Sequence, residues 1–252
     1  MTEVTMIGLD LAKNVFQVHG MRPDGSVAFR VKLARIKVLA FFAAQPICTV
    51  AMEACASAHY WGRELSGLGH DAKLIPPIYV KPFVKRQKND MADAEAIAEA
   101  ASRPTMRFVA VKSEEKQAAG MAFRTRDLFV RQKTQTINAL RGHLAEYGVV
   151  APKGPAHLGR LIRAVEEVES GLPEPVVAFA RMLLDQIAML QAKIDELEKE
   201  IRYQVRRDDV TARLMTVPGI GPISAAAMMA VACTRIRQSP REAVAVRVTS
   251  GM

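Results

Sequence analysis

Val4, Met6, Ile7 and Leu9 form a short apolar run that stops at Asp10, which predicts a buried strand ending in a carboxylate. Asn14 to His19 alternates polar with apolar, Pro23-Asp24-Gly25 supplies a turn, and Ser26 to Leu33 extends again, so an antiparallel meander is expected. Ile36 to Ala44 predicts a short helix, and Ile47 to Met52 a second buried strand, which stops at Glu53. Ala54 to Leu68 predicts a helix closed by Gly67 and Gly69, and Ala72 to Ile75 another strand, closed by Pro76-Pro77. Strands alternating with helices predict a mixed α/β sheet.

Asn89 to Ala100 is strongly helix-forming, Arg107 to Val111 predicts a last strand, and Glu114 to Tyr147 one or two long helices. Their apolar positions Leu128, Ile137, Leu140 and Leu144 are sparse, which leaves one face for a partner. Pro152, Gly154, Pro155 and Gly159 predict a boundary near residue 150. Beyond it, Val176, Ala180, Leu183, Ile187, Leu190, Ile194, Leu197 and Ile201 recur in alternating steps of four and three. Such a heptad seam predicts a coiled coil, either self-associating or an antiparallel helical pair. Leu214 to Ser224 then forms a Gly-rich turn between helices. Three domains are expected: 1–150 as α/β, 151–210 as helical coiled coil, and 211–252 as a further helical part.

The 252 residues are 50% hydrophobic and 24% charged, which is globular, and the net charge of +9 favours a polyanionic partner, nucleic acid before membrane. Clustering strengthens this: Lys73 to Lys88 holds five basic residues and no acidic ones, interleaved with Tyr79 and Phe83. Taken alone, that segment also fits a solvated loop. The helix that follows the predicted last strand adds Arg124, Arg126, Arg131, Lys133 and Arg141, each of which also fits a solvated helix face. Gly219 and Gly221 let backbone N–H groups at a helix start approach a phosphate, as in helix-hairpin-helix elements. Cys48, Cys55 and Cys233 have no metal-binding spacing and suit a reducing cytosol. With no basic leader and no apolar stretch long enough to span a bilayer, a cytoplasmic protein without membrane contact is expected.

Asp10, Glu53, Asp90 and Asp93 carry the candidate chemistry. Each has a plainer explanation: Asp10 could end a strand, while Asp90 and Asp93, three apart on the first helical turn, could cap a helix and complement its dipole. Together they fit phosphodiester cleavage or transfer with two divalent ions roughly 4 Å apart, one activating the attacking oxygen and one stabilising the leaving oxygen. Hard oxygen ligands suit Mg²⁺. Their order of strand end, strand end, helix turn is that of a ribonuclease H-like fold.

Met6 to Gly20, Met52-Glu53-Ala54, Lys88-Asn89-Asp90 through Ala98, Arg124 to Gly148, and Val217-Pro218-Gly219-Ile220-Gly221-Pro222 resemble the IS-one-ten family of insertion-sequence transposases. The resemblance implies a RuvC-like ribonuclease H-fold domain with Asp10, Glu53, Asp90 and Asp93 as Mg²⁺ ligands, then a coiled coil and a C-terminal transposase domain with a helix-hairpin-helix-like turn. It implies a DNA recombinase guided by a structured RNA from the element, and oligomers, with the coiled coil as the expected contact. Lys85, Arg86, Lys88, Arg124, Arg126, Arg131, Lys133, Arg141, Gly219 and Gly221 are the expected nucleic-acid contacts. A serine nucleophile of the family is expected beyond the Gly-Ile-Gly turn. The match ends near Met229, and neither Ser239 nor Ser250 sits in a matching context, so a truncated or frame-shifted copy with impaired strand transfer is expected. A non-catalytic RNA- or DNA-binding regulator is the alternative. An actin-like or sugar-kinase ATPase ranks low, because Leu11-Ala12-Lys13 after Asp10 lacks the Gly and Ser/Thr of a phosphate loop.

Overall fold

The computed structural model describes residues 4–84, 90–167 and 171–231, the side chains of Asp90, Met91, Pro155, Ala230 and Val231 excepted. The apolar run becomes β1 (Met6–Asp10), and β2 (Val15–Met21) and β3 (Val27–Ala34) complete an antiparallel meander. On the other side of β1, β4 (Thr49–Glu53) and β5 (Asp71–Ile75) pair in parallel, giving the order β3-β2-β1-β4-β5. This mixed sheet is compatible with a ribonuclease H-like α/β domain.

One face of the sheet presents Ile7, Leu9, Phe16, Val18, Val50 and Met52 to α1 (Val38–Ala43) and α2 (Ala58–Gly67), where Phe42, Trp61 and Leu65 close the core. Phe16 meets Trp61 edge to face, with centroids 5.1 Å apart. After β5 comes a single turn, α3 (Pro77–Val80), and then α4 (Asp90–Ala101) covers the opposite face with Ala96, Ile97, Ala100 and Ala101 against Ala51 and Ile75. Alanines bring this helix unusually close. A Cβ on Gly8 would lie 2.1 Å from the Ala94 carbonyl oxygen and 2.9 Å from the Ala98 Cβ, so only glycine fits beneath α4 at that point.

Two expectations change. The segment Arg107 to Val111 is no strand: it makes one isolated bridge, Val109 to Leu74, with the Val109 N–H donating to the Leu74 carbonyl at 2.7 Å. The helix expected from Ala54 begins at Ala58, after a turn in which Ser57 adopts φ +71.

The described chain divides into two compact units, residues 4–114 and 115–231, so the Pro/Gly break near residue 150 falls inside the second. That unit contains the single long helix α5 (Glu114–Ala145), α6 (Leu158–Glu166), α7 (Glu174–Arg207), α8 (Asp209–Leu214) and α9 (Pro222–Val231). Arg126 pairs with Glu198, Lys193 stands over Phe129, and Lys133 donates to Gln191, so numbers rise along α5 as they fall along α7. The two helices are therefore antiparallel. Ala180, Ile187, Leu190, Ile194 and Ile201 of the seam are buried, the first two in one cluster with Ile137, Leu140 and Leu144 of α5. Part of the seam is thus covered within the chain by α5, while Val176, Leu183 and Leu197 stay half-buried.

The fit of α4 over Gly8 predicts that Gly8→Ala destabilises the sheet unit by about 2–3 kcal/mol, because the obstruction is backbone that cannot rotate away. Gly67→Ala, where a Cβ meets nothing within 4 Å, should instead be neutral or stabilise by up to about 1 kcal/mol. Urea unfolding followed by the fluorescence of the single tryptophan, Trp61, reads both; equal midpoints for Gly8→Ala and the parent would contradict the close contact.

Candidate functional site

The register that pairs Leu9 with Met52 leaves Asp10 and Glu53 as the last residues of two neighbouring parallel strands. Side chains alternate along a strand, so Asp10 shares the face of Gly8, and Glu53 that of Ala51; Gly8 and Ala51 both pack against α4. Both carboxylates are half-buried. Asp93, also half-buried, directly precedes Ala94, whose carbonyl touches the Gly8 position. Asp90 opens α4, and its side chain lies outside the described residues. Opposite Asp10 on β2 stands Gln17, which is buried and whose Oε1 has no hydrogen-bond partner among the described residues.

Electrostatics ties the strand ends together. The Cys55 thiol is pushed above its ordinary range by partial burial first, then by the charges of Glu53 and of Asp10. One sulfur thus senses both carboxylates. The loop is tight: the Cys55 N–H donates to the Glu53 carbonyl at 2.8 Å, and Ser57 holds its left-handed conformation two residues later. Such backbone costs on the order of 1–3 kcal/mol and tends to occur near functional sites.

The donors described suit a hard cation, since they are oxygens and an unpartnered buried carbonyl oxygen faces the same side of the sheet. Among the described residues, however, no three His, Cys, Asp or Glu side chains are gathered as a ligand set. The buried Cys48 and His70 belong to the core: the Cys48 N–H donates to His70 Nδ1 at 3.3 Å, and His70 Nε2 donates to the Phe42 carbonyl at 3.0 Å. Burial pushes the Cys48 thiol up to about 11.

The basic residues separate by what holds them. Arg126 places Nε and Nη2 on one Glu198 oxygen, at 3.1 and 2.6 Å, with both side chains largely buried, so its charge is committed to the helical pair. Lys133 donates to Gln191 at 2.5 Å. Arg131 makes an exposed pair with Asp127 four residues earlier, worth only about 0.3–0.5 kcal/mol, and can exchange it for a phosphate. Arg124 is exposed, whereas Arg141 is half-buried and donates to Asn138 and to the Gly154 carbonyl. Lys85, Arg86, Lys88, Ser239 and Ser250 lie outside the described residues. Gly219, at φ +86, follows Pro218 in a turn closed by the Ile220 N–H on the Val217 carbonyl at 3.1 Å, and Gly221 leads into α9. Gln17 is the residue that sequence reasoning passed over, and Cys55 is read there only for metal-binding spacing and redox setting. Strand parity could have singled out Gln17 once Asp10 was chosen.

Residues 7–149 match the model of the IS110 family of Asp-Glu-Asp-Asp proteins, described as Transposase. Over 231 residues the chain is 49% identical to the "Probable family 20 transposase" of Pseudomonas aeruginosa, covering 91% of this chain and 68% of that one. It is 43% identical over 225 residues to the transposase for insertion sequence element IS1328 of Yersinia enterocolitica, covering 89% of this chain and 67% of the relative. The transposase for insertion sequence element IS1111A of Coxiella burnetii is 35% identical over 233 residues, 91% of this chain and 64% of that protein. The chain is a transposase-class enzyme. It belongs to the IS110 family of insertion-sequence transposases, and it spans about two thirds of the length of these relatives.

The shared field at Cys55 is directly measurable. Thiolate is the form that alkylates, so removing a neighbouring negative charge should raise the rate. With Cys48 and Cys233 replaced by alanine, Glu53→Gln and Asp10→Asn should each speed iodoacetamide labelling of Cys55 severalfold at neutral pH, followed by mass spectrometry. Unchanged rates would mean that the strand ends do not act on one place.

Proposed function

We propose that this carboxylate set is the strand-cleaving centre of an insertion-sequence transposase, in which Asp10, Glu53, Asp90 and Asp93 hold Mg²⁺ and a structured RNA from the element directs the protein to DNA. The observation that carries the reading is the placement of Asp10 and Glu53 at the ends of neighbouring parallel strands. Asp10 and Glu53 offer oxygen donors from adjacent strand ends, the donor type that Mg²⁺ takes, which supports a metal-binding role. When bound, Mg²⁺ supplies the positive charge that activates the attacking oxygen and neutralises the leaving one at a phosphodiester.

The chain's own groups do the rest. Asp10 and Glu53, set at strand ends whose register is locked by the sheet, present their oxygens from fixed backbone positions. Gln17 offers a carbonyl oxygen on the same side. Asp93 stands in the first turn of α4, the helix that opens at Asp90. Lys85, Arg86 and Lys88, with Arg124 and Arg131 on α5, hold backbone phosphates without reading bases. Oligomers form through the coiled-coil helix α7, where Val176, Leu183 and Leu197 of the seam stay partly exposed.

Strand cleavage of element-end DNA by purified protein, with its RNA and Mg²⁺, tests this. Asp10→Ala and Glu53→Ala should each lower the rate by at least about a hundredfold while nucleic-acid binding stays within about twofold. Cleavage that persists in both variants, or that proceeds undiminished in excess chelator, would overturn the assignment.

A further inference from the structure

A second site lies in the helical unit, away from the carboxylates in sequence. Thr134, Asn138, Arg141 and Ala145 follow one another on α5 at steps of four, three and four, so they share one helix face. With the following chain from Val150 to Gly154, this face walls a cavity of about 650 Å³, within the range of roughly 300–1,000 Å³ typical of small-molecule sites.

Its charge is of one sign. Arg141 and Lys153 line it, and no carboxylate does. Arg141 is fixed in place: Nη1 donates to Asn138 Oδ1 at 2.6 Å and Nη2 to the Gly154 carbonyl at 3.3 Å, while Nε is buried without a partner. Each Nη spends one of its two hydrogens in these bonds, so the held guanidinium keeps N–H donors for an anionic oxygen. The remaining wall is apolar, with Ile137, Ala145, Val150 and Ala151. Gly142 stands in it without a side chain, and a Cβ there would meet nothing within 4 Å.

We propose that this cavity holds one nucleotide of single-stranded nucleic acid, its backbone phosphate on Arg141 and Lys153 and its sugar and unstacked base in the apolar part. The proposal rests on the nucleic-acid-processing reading above and adds a strand-holding site to it. A bare phosphate would leave most of the volume unfilled. A nucleotide in a duplex could offer its phosphate but could not send its base inward without unstacking, so single strands are the preferred ligand. DNA and RNA share this chemistry, and the measurement separates them.

The test is fluorescence anisotropy of the full chain with labelled single-stranded RNA, single-stranded DNA of the same sequence, and a blunt duplex, at one fixed salt concentration. Lys153→Ala removes a charge, and Gly142→Leu fills the cavity from a position where the added side chain is not obstructed. Circular dichroism melting confirms that both variants fold. Each should weaken single-strand binding about tenfold and duplex binding much less, and the strand that loses more identifies the ligand. If wild type binds single strands and both folded variants bind them equally well, the cavity assignment falls and the nucleic-acid reading stands. If wild type binds no nucleic acid, both fall. If a free mononucleotide or inorganic phosphate displaces the oligonucleotide at equal phosphate concentration, the strand assignment is overturned in favour of a free anion.

Discussion

The close contact between β1 and α4 is the constraint on which the rest of the sheet unit depends. Gly8 has no side chain, and α4 meets it with Ala94 and Ala98, so helix backbone rests almost directly on strand backbone. That proximity sets the height of α4 above the sheet, and with it the height of Asp93 above the strand ends. A larger residue at position 8 would have to lift the helix that carries Asp93 away from the strand that ends at Asp10.

The helical unit follows a different logic. Its core has two parts, a cluster that joins α5, α6 and α7 and a second in which α7 packs against α8 and α9, while the Arg126–Glu198 pair fixes the register of α5 against α7. A charge used in that way is unavailable to a ligand, since breaking a pair removed from water leaves a stranded ion. The basic residues of α5 therefore do not form one uniform binding surface. Arg126 and Lys133 face α7, Arg124 and Arg131 face solvent, and Arg141 turns toward the chain that follows the helix.

Much of the sheet was legible in the sequence because its signals are local. Apolar runs that stop at Asp10 and Glu53, a Pro-Asp-Gly turn and paired prolines mark strand ends without reference to distant contacts. The heptad pattern of α7 was equally local, although its occupant within the chain was visible only once α5 had a position. What stayed hidden depends on pairing. Arg107 to Val111 looks extended, yet among the described residues a single bridge to Leu74 is all the pairing it makes. The late start of α2 turns on the left-handed Ser57, which no propensity would suggest for a serine. Gln17 became relevant only through its register with Asp10, and the cavity beside Arg141 only through the return of residues 150–154 onto α5.

The central claim is that Asp10, Glu53 and α4 form one cation site. Titration of the apo protein with Mn²⁺, followed by electron paramagnetic resonance of the free ion, tests it without relying on catalysis. The account predicts saturable binding that is weakened in Asp10→Asn, Glu53→Gln and Asp93→Asn alike, with the folded state intact in each. Binding that is unaffected in any one of the three would contradict a single shared site.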